Sequence, residues 1–197
     1  MSRSEAAFNA LLGISILSGS ILGFVFVRDR PLFVQCVLSV LQVCVGTLVL
    51  CRTRALQNGT IGSWVASIPA LIISGWVVKI APSSWSHFTQ WLFFTGGLMA
   101  IVSLLYLGRC FAILPAIRGT VTAGPYRIVR HPAYFGELVM VVACWLAAPL
   151  WATFWLLIAT IGLVVVRIIA EERVMMDSDE YTKYVARVRW RLIPRVW

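Results

Sequence analysis

Along the chain, stretches of about 20 nearly uninterrupted apolar residues alternate with short basic or turn-forming breaks, a spacing that suits membrane crossings rather than a globular core. Phe8 to Val27 is interrupted by Asn9 at its start and beyond that only by Gly and Ser, which membrane helices tolerate, and it ends at Arg28-Asp29-Arg30-Pro31. Leu32 to Cys51 follows at once, so the two segments predict a tight helical hairpin with Arg52 and Arg54 beyond it. Ile61 to Ile80 is the third segment, with a kink predicted at Pro69 and a close at Ala81-Pro82-Ser83-Ser84. Phe88 to Leu107 is the fourth, and Trp76, Trp85 and Trp91 near its approach fit an aromatic belt at the membrane surface.

The pattern then changes. Gly108 to Arg130 is too short and too basic for a crossing, with turn signals at Pro115, Gly119 and Gly124-Pro125, and it predicts an interfacial connector folded over the membrane face. Pro132 to Ala147 and Trp151 to Ala170 are the last two apolar segments, parted by Ala147-Ala148-Pro149-Leu150. The first is short for a span and holds Glu137, so the pair reads as a tilted or re-entrant hairpin. From Glu171 onward the chain is polar and helical. The predicted fold class is all-α: a polytopic integral membrane bundle of five to six membrane segments with a cytoplasmic helical C-terminal tail. Residues 1–107 form a four-span scaffold and residues 108–197 a second unit.

Composition agrees with that reading. Hydrophobic residues make up 60% of the chain and charged ones 13%, with a mean hydropathy of +0.87, far from a soluble globule. The net charge of +9 is dispersed between apolar segments, which points to anionic lipid and membrane topology and excludes nucleic acid as a partner. With six crossings, 13 of the 17 Lys and Arg fall on the side of the termini, and only those at 28, 30 and 79 on the other, so the termini are expected in the cytoplasm. The five cysteines have no C-x-x-C pair or metal-ligand spacing and read as apolar packing residues; no metal is expected. His87, in an interfacial loop, reads as solvated rather than as a ligand.

Candidate chemistry concentrates in two places. In Gly124-Pro125-Tyr126-Arg127-Ile128-Val129-Arg130-His131-Pro132-Ala133-Tyr134-Phe135-Gly136-Glu137, Pro132 pushes His131 out of the α region, so a helix begins there beside a basic loop suited to anionic ligand groups. Arg130, Tyr134 and Glu137 share one face if the helix includes its flank. The second place is Arg167, Glu171 and Glu172: Arg167 and Glu171, four apart, can pair along one face, while Glu172, rotated by about 100°, reaches elsewhere. If the last hairpin brings its ends together, both groups line one pocket at the cytoplasmic surface.

These blocks, G-P-Y-R-I-V-R-H-P-A-Y-F-G-E at 124–137, R-I-I-A-E-E at 167–172, D-E-Y-T-K-Y at 179–184 and R-L-I-P at 191–194, resemble the isoprenylcysteine carboxyl methyltransferase family and the related phospholipid N-methyltransferases. L-G-R-C-F-A-I-L-P-A-I-R-G-T-V-T at 107–122 resembles the run-up to that motif in bacterial members. The resemblance covers about the last 90 residues and implies that 108–197 is the core of an integral membrane methyltransferase using S-adenosylmethionine without a Rossmann domain. It further implies that Gly124, Pro125, Tyr126, Arg130, His131, Pro132, Tyr134, Gly136 and Glu172 hold the cofactor. Arg167 and Glu171 match positions that place the methyl acceptor, and the tail from Tyr181 to Pro194 closes the pocket. The implied acceptor is lipophilic or lipidated and is either a carboxylate, which needs no general base, or an amine, for which Glu171 could take the proton. In a prokaryote the enzyme sits in the plasma membrane. Two alternatives stand beside this reading: sterol reductases, which share R-H-P-x-Y but bind NADPH, and a catalytically silent membrane scaffold.

Overall fold

The structure, a computed structural model, describes residues 3–26, 31–79 and 84–197. The breaks expected at 28–30 and 81–83, and the side chain of Trp76, lie outside the described residues. Among the described residues seven α-helices follow one another: α1 (Arg3–Phe26), α2 (Leu32–Cys51), α3 (Ile61–Lys79), α4 (His87–Leu107), α5 (Pro132–Ala147), α6 (Trp151–Met175) and α7 (Asp179–Arg187). Among the described residues α1, α2, α4 and α6 are long and apolar enough to cross a membrane. The remaining apolar helices are α3, with Pro69 inside it, and α5, at 16 residues. The protein is therefore an all-α integral membrane bundle.

Between lipid-exposed helices apolar side chains gain little from leaving one apolar medium for another, so association depends on close packing at small residues. Gly13 of α1 meets Gly46 of α2, where a Cβ on either would fall within 3.3 Å of the other's carbonyl oxygen. Gly96 and Ala100 of α4 meet Gly136 of α5 in the same way. Around that contact Val34, Val37, Phe93, Met140, Val141 and Ala143 join α2, α4 and α5 into one buried cluster. Trp85 belongs to it: its ring stands edge-on to Phe33 at 5.3 Å and to Phe93 at 5.4 Å, so it packs inside the bundle rather than in a belt. Trp91, 69% exposed, does face outward, and His87 opens α4 as an exposed residue.

At one end, the connector folds onto the loop between α2 and α3. The two-residue strands β1 (Gln57–Asn58) and β2 (Ala116–Ile117) pair antiparallel, with Gln57 opposite Ile117 and Asn58 opposite Ala116. Thr53 donates to the Arg109 carbonyl from its N–H at 2.9 Å and its hydroxyl at 3.0 Å, and the Gly59 N–H donates to the Pro115 carbonyl at 2.9 Å. Arg118 donates to the Thr53 carbonyl. Strands this short carry no period-two signal in sequence.

At the opposite end of α5 and α6 the hairpin is set by Thr153, whose hydroxyl accepts from the Leu150 N–H at 3.0 Å and donates to the Ala148 carbonyl at 2.6 Å. The two helices thus run back to back, and the start of α5 meets the end of α6. That end lies further out than the apolar run suggests. Glu171, Glu172 and Arg173 are good helix formers without a breaker, so α6 continues past Ala170 to Met175 and carries all three on the same rigid rod.

Candidate functional site

Gly124 opens a 3₁₀ turn (Gly124–Arg127) at φ +58°, with the Tyr106 ring 2.5 Å from where a Cβ would stand, so only glycine fits. Pro125 begins the turn and accepts the Ile128 N–H at 3.1 Å. His131 lies at φ −128°, ψ 57°, outside the α region as its following proline requires, and Pro132 is the fully buried first residue of α5. Arg130 consequently stays in the loop. It does not share a helix face with Tyr134 and Glu137, because the helix does not extend back past Pro132. Instead the Arg130 N–H donates to the Trp190 carbonyl at 2.9 Å and the His131 N–H to the Arg191 carbonyl at 2.8 Å. The tail is laced to the loop by backbone bonds.

The carboxylate of Glu172, 4% exposed, is the hub of the cluster. Arg130 donates to it from Nε at 2.8 Å and from Nη2 at 3.3 Å, and His131 Nε2 lies 3.0 Å from Oε1. From the tail, Arg191 Nε donates at 2.8 Å and the Tyr181 hydroxyl at 3.4 Å. Arg130 spends a further N–H on the Val188 carbonyl at 3.3 Å. A buried charge is tolerable only when paired and hydrogen-bonded, and here it is both. Two guanidinium groups against one carboxylate leave this wall net positive.

Arg167 and Glu171, the pair expected along one face of α6, do not form an ion pair among the described residues. Arg167, buried, donates from Nη2 to the Ile113 carbonyl at 3.0 Å and lies over the Tyr134 ring, 4.9 Å from its centre. Glu171 accepts the Tyr134 hydroxyl at 2.7 Å. Tyr134 therefore holds the two apart by engaging both, and its ring also stacks on His131, with centroids 5.6 Å apart. Glu137, one helical turn deeper along α5, is half-buried and accepts no hydrogen bond among the described residues.

A cleft of about 760 Å³, counting its open mouth, runs between these groups. Tyr126, Arg130, His131, Tyr134, Arg167 and Glu171 line it, with Leu104, Leu107 and Phe111 as an apolar flank and Tyr181 and Tyr184 from α7 closing one side. The Tyr184 hydroxyl donates to the Tyr126 carbonyl at 2.7 Å, fixing α7 on the loop. Burial, reinforced by Glu171 and then Tyr184, pushes the Tyr126 phenol up; burial likewise raises Tyr181 and Tyr184, with Arg130 partly opposing it. All three remain neutral donors around neutral pH. Six of the residues singled out in the sequence do not line the cleft: Gly124, Pro125 and Pro132 shape the loop, Glu172 stands behind Arg130 and His131, Gly136 faces α4, and Glu137, expected in the same pocket, lies outside its lining. Sequence reasoning did not single out Arg191 and the Ile113 carbonyl. Arg191 opens the R-L-I-P block, a signal that could have found it, whereas a backbone carbonyl leaves none.

Residues 85–181 match the family model described as phospholipid methyltransferase. That stretch runs from just before α4 into α7 and contains Tyr126, Arg130, His131, Tyr134, Arg167, Glu171, Glu172 and Tyr181, while Tyr184, Val188, Trp190 and Arg191 lie beyond it. No curated protein matches the chain.

Proposed function

We propose that this protein, whose residues 85–181 match the family model described as phospholipid methyltransferase, is a methyltransferase of lipid-type substrates in the isoprenylcysteine carboxyl methyltransferase and phospholipid methyltransferase superfamily, and that it transfers the methyl group of S-adenosylmethionine to a lipid acceptor at the cytoplasmic membrane face. One observation carries the reading: a single cleft joins a net-positive wall built on Arg130 to a carboxylate, Glu171, that has no ion pair among the described residues, along an apolar flank.

The donor set fits such a cofactor. Its carboxylate suits the Arg130 and His131 wall, and the neutral tyrosines along the cleft suit a sulfonium and an adenosine. Bound there, it supplies an electrophilic methyl group. Glu172 acts through Arg130 and His131, fixing their direction, rather than by direct contact. Leu104, Leu107 and Phe111 sheathe the acceptor's hydrocarbon and keep water from the cleft. Arg167 orients the acceptor's polar head. For an amine acceptor Glu171, held by the Tyr134 hydroxyl, takes the released proton; for a carboxylate acceptor, as in isoprenylcysteine-like O-methylation, it has no proton to take. The side is argued from the bias of Lys and Arg toward the termini.

Label from a methyl-tritiated donor is expected to enter the lipid fraction when purified protein is given lipid extracts. Arg167→Ala is expected to lower turnover by about 100-fold through lost orientation, with donor affinity changed less than about twofold. No label in any lipid, or near-normal turnover in the variant, counts against the reading. Glu171→Gln then separates the acceptors, since it slows amine methylation and spares a carboxylate.

A further inference from the structure

On the far side of α6 from this site lies a second cleft of about 820 Å³ counting its mouth, between the start of α3 and the end of α6 and roofed by Gln57 and Asn58. Glu171 and Met175 face the first cleft, whereas Arg173 and Asp177 face the second. The small residues Gly62, Ala66 and Ala170 line its wall and give it depth.

Arg173 and Asp177 are four apart and opposite in sign, yet they do not pair among the described residues. Cation before anion is the poorer order for such a pair on a helix, and Asp177 lies just past the last helical residue. The Arg173 side chain makes no hydrogen bond among the described residues, and the Asp177 carboxylate accepts one, from Gln57 Nε2 at 2.9 Å. The cleft thus offers one free positive and one underused negative group. Its neighbours Leu56 and Ile61 are 80% and 77% exposed, as residues facing acyl chains are.

We propose that this cleft binds the headgroup of a zwitterionic phospholipid as a resident lipid, with phosphate on Arg173, ammonium on Asp177 and the acyl chains along the exposed face of Ile61 and Val65. An anionic lipid is disfavoured by Asp177, and a soluble zwitterion gains nothing from the apolar rim. The bound headgroup ties the α2–α3 loop to α6, a link now made by the Gln57 to Asp177 bond. Because that loop also pairs with the connector, the lipid secures the roof over both clefts.

The test is native mass spectrometry of delipidated protein in detergent, titrated with phosphatidylcholine and phosphatidylglycerol. Wild type is expected to retain one phosphatidylcholine in preference to phosphatidylglycerol. Arg173→Glu is expected to lose that retention at least tenfold, and Asp177→Lys to reverse the preference. Both substitutions are at exposed positions, and circular dichroism melting verifies each fold. Equal retention by wild type and Arg173→Glu overturns the proposal, as does a wild type that prefers phosphatidylglycerol or retains neither lipid. None of these outcomes depends on methyl transfer.

Discussion

Glu172→Ala is expected to cost about 3–5 kcal/mol of stability and to abolish donor binding, because it leaves Arg130, almost fully buried, facing Arg191 with nothing between them. Breaking a buried pair costs more than the pair contributes, since the surviving charge keeps its desolvation penalty. Here one carboxylate joins the loop at 130–131, the end of α6 and the tail at 191, so its loss loosens all three. Thermal unfolding in detergent should show the loss, and limited proteolysis should show early cleavage after Arg187, Arg189 or Arg191. Glu172→Gln keeps the shape and part of the hydrogen bonding but not the charge, and is expected to fall between alanine and wild type. A wild-type melting temperature for Glu172→Ala would show that the hub is not structural.

Gly136→Val is the second large expected effect. A Cβ at Gly136 would lie 2.6 Å from both the Ala100 nitrogen and the Gly96 carbonyl oxygen, backbone atoms that cannot rotate aside. α4 and α5 must therefore separate, and overpacking of this kind costs about 1–3 kcal/mol or more. Parting those helices also displaces the start of α5, where His131 and Tyr134 enter the cleft. Gly162→Val on α6, where nothing lies within 4 Å, is the matched control and should be nearly neutral. Yield of folded protein by size exclusion, with the two melting temperatures, separates the cases.

Much of the bundle was legible because membrane helices announce themselves by length and hydropathy: α2 and α5 have the boundaries that the apolar runs imply, α3 starts where its run does, and α4 differs by one residue. The His131-Pro132 helix start was equally legible, since proline constrains its neighbour whatever the fold. Long-range competition was not. An i, i+4 rule pairs Arg167 with Glu171, but it cannot see Tyr134 arriving from α5 with a hydroxyl for one and a ring face for the other. Nor can the sequence show that Gly136 faces α4 while Tyr134, two residues earlier, faces the cleft. Trp85 misleads for a related reason, being placed by its neighbours Phe33 and Phe93 rather than by its distance from the span's end.

The central claim, that the cleft lined by Arg130 and His131 is a methyl-donor site, is tested most directly by titration calorimetry of detergent-purified protein with S-adenosylhomocysteine and, separately, with NADPH. Saturable binding of S-adenosylhomocysteine at one site per chain, weakened in Glu172→Gln and with no heat from NADPH, is the expected result; binding of NADPH without S-adenosylhomocysteine would contradict it.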